Sequence, residues 1–232
     1  MNGTLPLLDI VQALPEPTLS RLPPVPLNLR VMAEDSILIE AHDPSQAAEF
    51  ADLCCGLLPL QSGSVSFLGN DWASTPHERA SALRGRIGQV GGPNSWISFL
   101  TADANILLQQ LHHTRLSLEH LQDRAAELSR GFGLPGLPVA RLDELRFDDR
   151  VRAACVRAFV GEPRLVILKS QELEQVADLR PALLNALSAA RNRQAATIWL
   201  MPGRAVWNDR TVQATARLRL TDYGLIASRM SP

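Results

Sequence analysis

The chain predicts an α/β fold with a smaller helical insert, and three observations predict it. Residues 36–72, SILIEAHDPSQAAEFADLCCGLLPLQSGSVSFLGNDW, read as strand, turn, helix and strand, because an apolar run, a turn, a helical spacing and a period-two alternation follow one another. Residues 165–168, LVIL, form a second short apolar run suited to a buried strand. Beyond it, residues 177–192 have helical spacing and residues 197–201 return to strand, so that helices and strands alternate as they do in layered α/β domains.

Bulk properties narrow the function classes. A chain of 232 residues with 46% hydrophobic content can bury a sizeable core. Lys+Arg 23 against Asp+Glu 24 leaves a net charge of -1, which gives nucleic acid no basic field to bind. Cys54, Cys55 and Cys155 form no C-x-x-C pair and have no histidine at ligand spacing, so they read as small buried hydrophobes in a reducing compartment, and no metal is expected. His112 and His113 are adjacent and do not share a helix face. No apolar run approaches the roughly 18 residues of a membrane span and no signal peptide opens the chain. A cytoplasmic protein that reaches a membrane only through a partner is the expectation.

Each element has its own local reason. Two short strands, residues 7–11 and 27–31, flank a Pro-rich loop that cannot be helix. Asp43 as N-cap, Pro44 at the first helical position and Gln46 at the third form a strong helix start. Residues 116–130 carry an amphipathic pattern at Leu118, Leu121, Ala125 and Leu128, with Ser117 as N-cap and Gly131 as the stop. The chain closes with strands at 216–220 and 225–227.

The order of residues 36–72, with GLLPLQSG closing the helix, resembles the nucleotide-binding start of the ATP-binding cassette (ABC) transporter ATPases. Residues 144–171, ELRFDDRVRAACVRAFVGEPRLVILKSQ, run without gaps along that family's signature-helix and metal-strand segment, keeping Leu145, Arg152, Arg157, Ala158, Pro163 and Leu168. The resemblance implies a P-loop NTPase-like ABC ATPase fold. It would be one domain over residues 1–232, with an antiparallel β-subdomain and a helical subdomain over about 93–160 inserted in the core.

The same resemblance implies that the nucleotide chemistry is gone. Counting back from Gly56 places Ala41 and Gln46 at the two glycines of the phosphate loop G-x-x-x-x-G-K-[ST], Ala47 at its lysine and Ala48 at its magnesium-binding hydroxyl. Counting back from Asn105 places Gly92 at the family's loop glutamine. Lys169 replaces the magnesium-binding Asp, Ser170 the catalytic Glu, and Met201-Pro202-Gly203 stands where the switch histidine belongs. Lys169 is the only lysine, so the loss of the phosphate-loop lysine does not depend on the counting. No aromatic residue precedes Phe50 to stack on adenine. The signature motif becomes Leu145, Arg146, Phe147, Asp148 and Asp149. Phe147 fills the space where glycines approach phosphate, while Asp148 and Asp149 repel it.

The expectation is therefore a catalytically inactive ABC-like subunit without ATP or magnesium, in a structural or regulatory role within a membrane transporter. Partners are a membrane permease, an active ABC ATPase subunit or a second copy. RAACVRAFVGEP is faintly similar to ATPases of lipid-transporting MCE systems, which implies lipid transport. Trp96, Phe99 and Leu100 are either ordinary core or permease contacts, in a docking surface made with residues 91–105 and 116–130. Lys169 is expected to be charge-compensated by Asp43 or Glu49. The alternative is a cleft reused for another ligand or reaction, with Asp43, Glu49 and Lys169 as an acid/base set.

Overall fold

The computed structural model describes residues 5–91, 96–169, 171–176, 178–203, 206–209 and 211–227. Among the described residues ten strands form two sheets. The antiparallel sheet runs β2 (Leu27–Val31), β1 (Leu8–Pro15), β4 (Leu60–Phe67), β5 (Asn70–Asp71). The mixed sheet runs β10 (Gly224–Ala227), β9 (Ala216–Thr221), β3 (Ser36–Glu40), β8 (Ala196–Met201), β7 (Leu165–Leu168), β6 (Ile87–Val90). In it strands β9, β3, β8, β7 and β6 pair in parallel, and the β9–β10 hairpin is antiparallel.

The period-two pleat divides the core between two faces of the mixed sheet. Ile37, Ile39, Leu165, Ile167, Ile198 and Leu200 face the antiparallel sheet and α1 (Pro44–Cys54). Leu38, Val166, Leu168, Trp199 and Met201 face the opposite layer. That layer is built from α3 (Ala102–His113), α4 (Leu118–Gly131), α5 (Phe147–Phe159) and α6 (Leu179–Asn192). A short α2 (His77–Arg84) precedes β6.

The structure extends one of the sequence readings, keeps one and moves one. β1 continues past residue 11 to Pro15 through a bulge, because Gln12 takes a left-handed φ of 47° and Gly63 lets the backbones meet. A β-carbon on Gly63 would stand 2.0 Å from the Gln12 carbonyl oxygen. Ser117 caps α4 as expected, accepting from the His120 N–H at 3.2 Å. The stop, however, is Gly133 and not Gly131. Gly133 has φ +87, its N–H donates to Arg130 O, and the Leu134 N–H donates to Ser129 O at 2.9 Å. Those two bonds are a Schellman motif, which needs its left-handed residue one position past the cap, whereas Gly131 is still helical. α6 begins at Leu179; Ala177 lies outside the described residues.

Candidate functional site

The loop between β3 and α1 holds three residues, Ala41, His42 and Asp43. Ala41 is buried and its N–H donates to Met201 O at 2.8 Å, tying the C-terminal ends of β3 and β8 together. The exposed His42 places Nδ1 2.9 Å from Pro202 O and Nε2 3.7 Å from the buried Glu40, whose other oxygen lies 2.7 Å from Arg219 Nε. Gly203 follows, half-buried. Helix α1 then starts at Pro44, two residues ahead of Gln46 and three ahead of Ala47.

A helix start offers four N–H groups to an anion. Pro44 has none. Ser45 donates to Asp43 Oδ1 at 2.8 Å and Ala47 to Asp43 O at 3.0 Å. Among the described residues the Asp43 and Gln46 N–H groups are left unclaimed. The Gln46 side chain does not close a capping box; its Nε2 donates to Arg21 O at 3.0 Å. Arg21 Nη1 donates to Ser45 Oγ at 3.0 Å, and Glu49 Oε2 accepts from Ser20 Oγ at 2.8 Å and from the Arg21 N–H at 2.6 Å. Residues 20–21 are thus strapped along the first two turns of α1. Ala47 is buried in the core and Ala48 is half-buried.

Lys169 follows β7, its N–H donating to Val90 O at 3.1 Å. The expected pairing with Asp43 or Glu49 is not made. Asp43 is occupied as a cap and Glu49 by the strap, and among the described residues no carboxylate oxygen lies within 4.0 Å of the Lys169 ammonium. The ammonium, half-buried rather than sealed, keeps enough solvent to do without a contact partner. Its field falls on the last turns of α1. Burial raises the Asp52 carboxyl above its ordinary value, Lys169 opposes that shift, and Glu49 adds to it. The neighbouring Cys55 thiol is pushed up to about 12 by burial, with Lys169 again opposing, while Gln89 Nε2 stands 3.0 Å from its sulfur. Asp43, Glu49 and Lys169 are therefore not gathered into one acid/base set. Nothing local in the sequence signalled Asp52, because it meets Lys169 only through the packing of α1 on the sheet.

The five residues expected at the signature motif lie at the start of α5. Leu145 is half-buried, and Arg146 is the N-cap but makes no side-chain cap bond. Phe147 is 39% exposed, Asp148 is exposed and Asp149 is half-buried, both acids lying in the first turn. There they complement the helix dipole. Gly92 and Ser170 lie outside the described residues.

Two clefts flank the segment 96–101. Asn105, buried at the start of α3, pins it: Asn105 Oδ1 accepts from the Ile97 N–H at 2.8 Å, and Nδ2 donates to Ile97 O, Leu100 O and Thr101 O. On one side, Trp96, Phe99 and Phe147 line a cleft of about 410 Å³ against α5. Trp96 stacks under the guanidinium of Arg157, 4.3 Å from its ring centroid, and burial lowers the Arg157 pKa to about 10. Phe99 is 77% exposed and Leu100 half-buried. On the other side, a groove of about 630 Å³ runs between the end of α1, β6 and α3, lined by Leu57, Ile87, Gln89, Ile97, Leu108 and His112 among others. The amphipathic face of α4 contributes to neither cleft. Leu121 and Ala125 are buried in the core against α5 and α3, and only Leu118 of that stripe is well exposed.

The strand order, the antiparallel side sheet and the helical layer define the fold of an ATP-binding cassette. A dimeric structure of MJ0796, a bacterial ABC transporter cassette, superposes with a TM-score of 0.79 at 16% identity, over 94% of this chain and 96% of that one. The post-hydrolysis dimer of the ATP-binding cassette MJ0796 bound to ADP and Pi gives 0.78 at 15% identity over the same shares. An ATP-binding subunit of an ABC transporter gives 0.75 at 18% identity, over 94% of this chain and 88% of that one. No protein-family model and no curated protein sequence matches the chain. Among the described residues no helix is long and apolar enough to cross a membrane, and no group of three or more His, Cys, Asp or Glu side chains is placed to hold a metal ion.

Proposed function

We propose that the chain is a nucleotide-free ABC-like subunit of a membrane transporter, retained for assembly and not for ATP turnover. The observation that carries this reading is the start of α1 at Pro44. The helix occupies positions that a phosphate loop must leave as open backbone, and Asp43 places a carboxylate where a phosphate would sit. A bound phosphate would meet two free N–H groups, those of Asp43 and Gln46, the Asp43 charge and no loop lysine. Lys169 stands at the end of β7, where a divalent cation would need an oxygen ligand. Trp96, Phe99 and Leu100, the candidate permease contacts, belong to the pinned segment between the two clefts. The groove on its Ile97 side, with Leu57 55% exposed at its mouth, suits a short helix from a permease. A lipid cargo rests on the RAACVRAFVGEP similarity alone.

Calorimetric titration with Mg-ATP tests the first half: no saturable heat is expected, and micromolar affinity overturns it. Co-purification with the permease encoded or expressed beside it tests the second. Leu57→Asp is expected to abolish that association in a subunit that still folds, and unchanged association overturns the groove assignment.

A further inference from the structure

We propose that the 410 Å³ cleft between segment 96–101 and α5 is a binding site for an amphiphilic organic anion: a hydrocarbon or aromatic body bearing one carboxylate or sulfonate. This does not depend on the transporter reading. The volume falls in the range of roughly 300–1,000 Å³ typical of small-molecule sites. The floor is apolar and buried, made of Val90, Val151 and Ala154. Its walls are aromatic, and two of them, Phe99 and Phe147, expose 77% and 39% of their surface to water. An apolar body seated between them removes that surface from solvent.

The cleft is preformed. Trp96 is fixed from behind by the Arg157 guanidinium, and the segment that carries it is held by the four hydrogen bonds of Asn105. A ligand therefore meets walls already in place, and little ordering opposes binding. Charge at the rim selects the head group. Arg141 is paired with Asp143 at 3.4 Å, and Glu172, which also lines the cleft, is not without a partner. Arg150, one turn into α5 and exposed beside the apolar floor, has no ion-pair partner among the described residues. Among the described residues the rim charge with no ion-pair partner is the Arg150 guanidinium, which matches a planar carboxylate or a sulfonate.

The test uses 1-anilinonaphthalene-8-sulfonate as probe and decanoate as competitor on the full chain. Probe fluorescence is expected to rise saturably, and decanoate to displace the probe while decanol at equal concentration does so far less. Phe99→Asp and Arg150→Glu, both at exposed positions, are each expected to weaken the probe by about tenfold or more, whereas Leu57→Asp in the neighbouring groove leaves it unchanged. Decanoate is also expected to perturb Trp96 emission, and that signal disappears in Trp96→Phe, a readout independent of the charge variants. Undiminished binding in Phe99→Asp and Arg150→Glu overturns the assignment, as does equal displacement by decanol or loss of binding in Leu57→Asp. Probe binding that vanishes as the chain dimerises, followed by light scattering, assigns the cleft to a second copy and overturns it as well.

Discussion

Gly56 and Trp72 occupy one space: a β-carbon on Gly56 would stand 2.2 Å from Trp72 Cγ. Gly56 has φ +63 and closes α1 with the Leu57 N–H donating to Asp52 O at 2.9 Å. The indole beside it donates to Cys54 O at 3.2 Å, stacks on Phe67 and receives the Arg84 guanidinium 5.2 Å from its centroid. Strain and overpacking act together in Gly56→Ala, for an expected loss of about 2–4 kcal/mol of unfolding free energy. Urea denaturation measures it. Adding Trp72→Ala should relieve the clash but not the backbone strain.

The two glycines at the end of α4 should behave oppositely. Gly131 is helical with open space around its α-carbon, so Gly131→Ala is expected to stabilise by about 0.5–1 kcal/mol. Gly133 is left-handed, and a β-carbon there would stand 2.5 Å from Arg152 Nη1. Gly133→Ala is expected to destabilise by more than about 1 kcal/mol. Equal midpoints for the two variants in chemical denaturation would contradict the assignment of the helix stop.

Restoring single motif residues should not restore nucleotide binding. Ala47 is 7% exposed and packs into the core behind α1. Ala47→Lys therefore places an ammonium in an apolar site instead of offering it to a phosphate. It is expected to cost roughly 2 kcal/mol or more of stability, with no heat on Mg-ATP titration. Lys169→Asp alone is likewise expected to give no binding, since α1 still begins at Pro44.

Burial pushes the Cys55 and Cys155 thiols up to about 12 and the Cys54 thiol well above its ordinary value. Raised folded-state values mean that the thiols' contribution to stability is complete below the unfolded-state value near about 8.5–9. It is lost as pH rises from there toward 12, because the unfolded chain ionises first. Denaturation midpoints should fall between pH 8 and pH 10, and less steeply in Cys55→Ala. A thiol reagent at pH 8 should leave the native chain unmodified and label it only once unfolded.

Much of the fold was legible in residues near one another in the chain. The SILIE and LVIL runs, the Asp43-Pro44 start, Gly56 and the Ser117 cap act through turns and periodicities spanning a few positions, and each sits where those local rules put it. That the chain has a single lysine, Lys169, is likewise a property of the sequence itself. What tertiary structure alone decided is where long side chains go once the elements pack. Lys169 meets the field of Asp52 and not a contact with Asp43 or Glu49, since the strap of residues 20–21 had already taken Glu49. Trp96 turns onto Arg157, and the stripe on α4 is consumed by the core. The contact of Glu49 with Arg21 alone spans 28 positions. Local propensity carries no signal for such contacts, because their energy comes from surfaces that exist only after the sheets and helices have assembled.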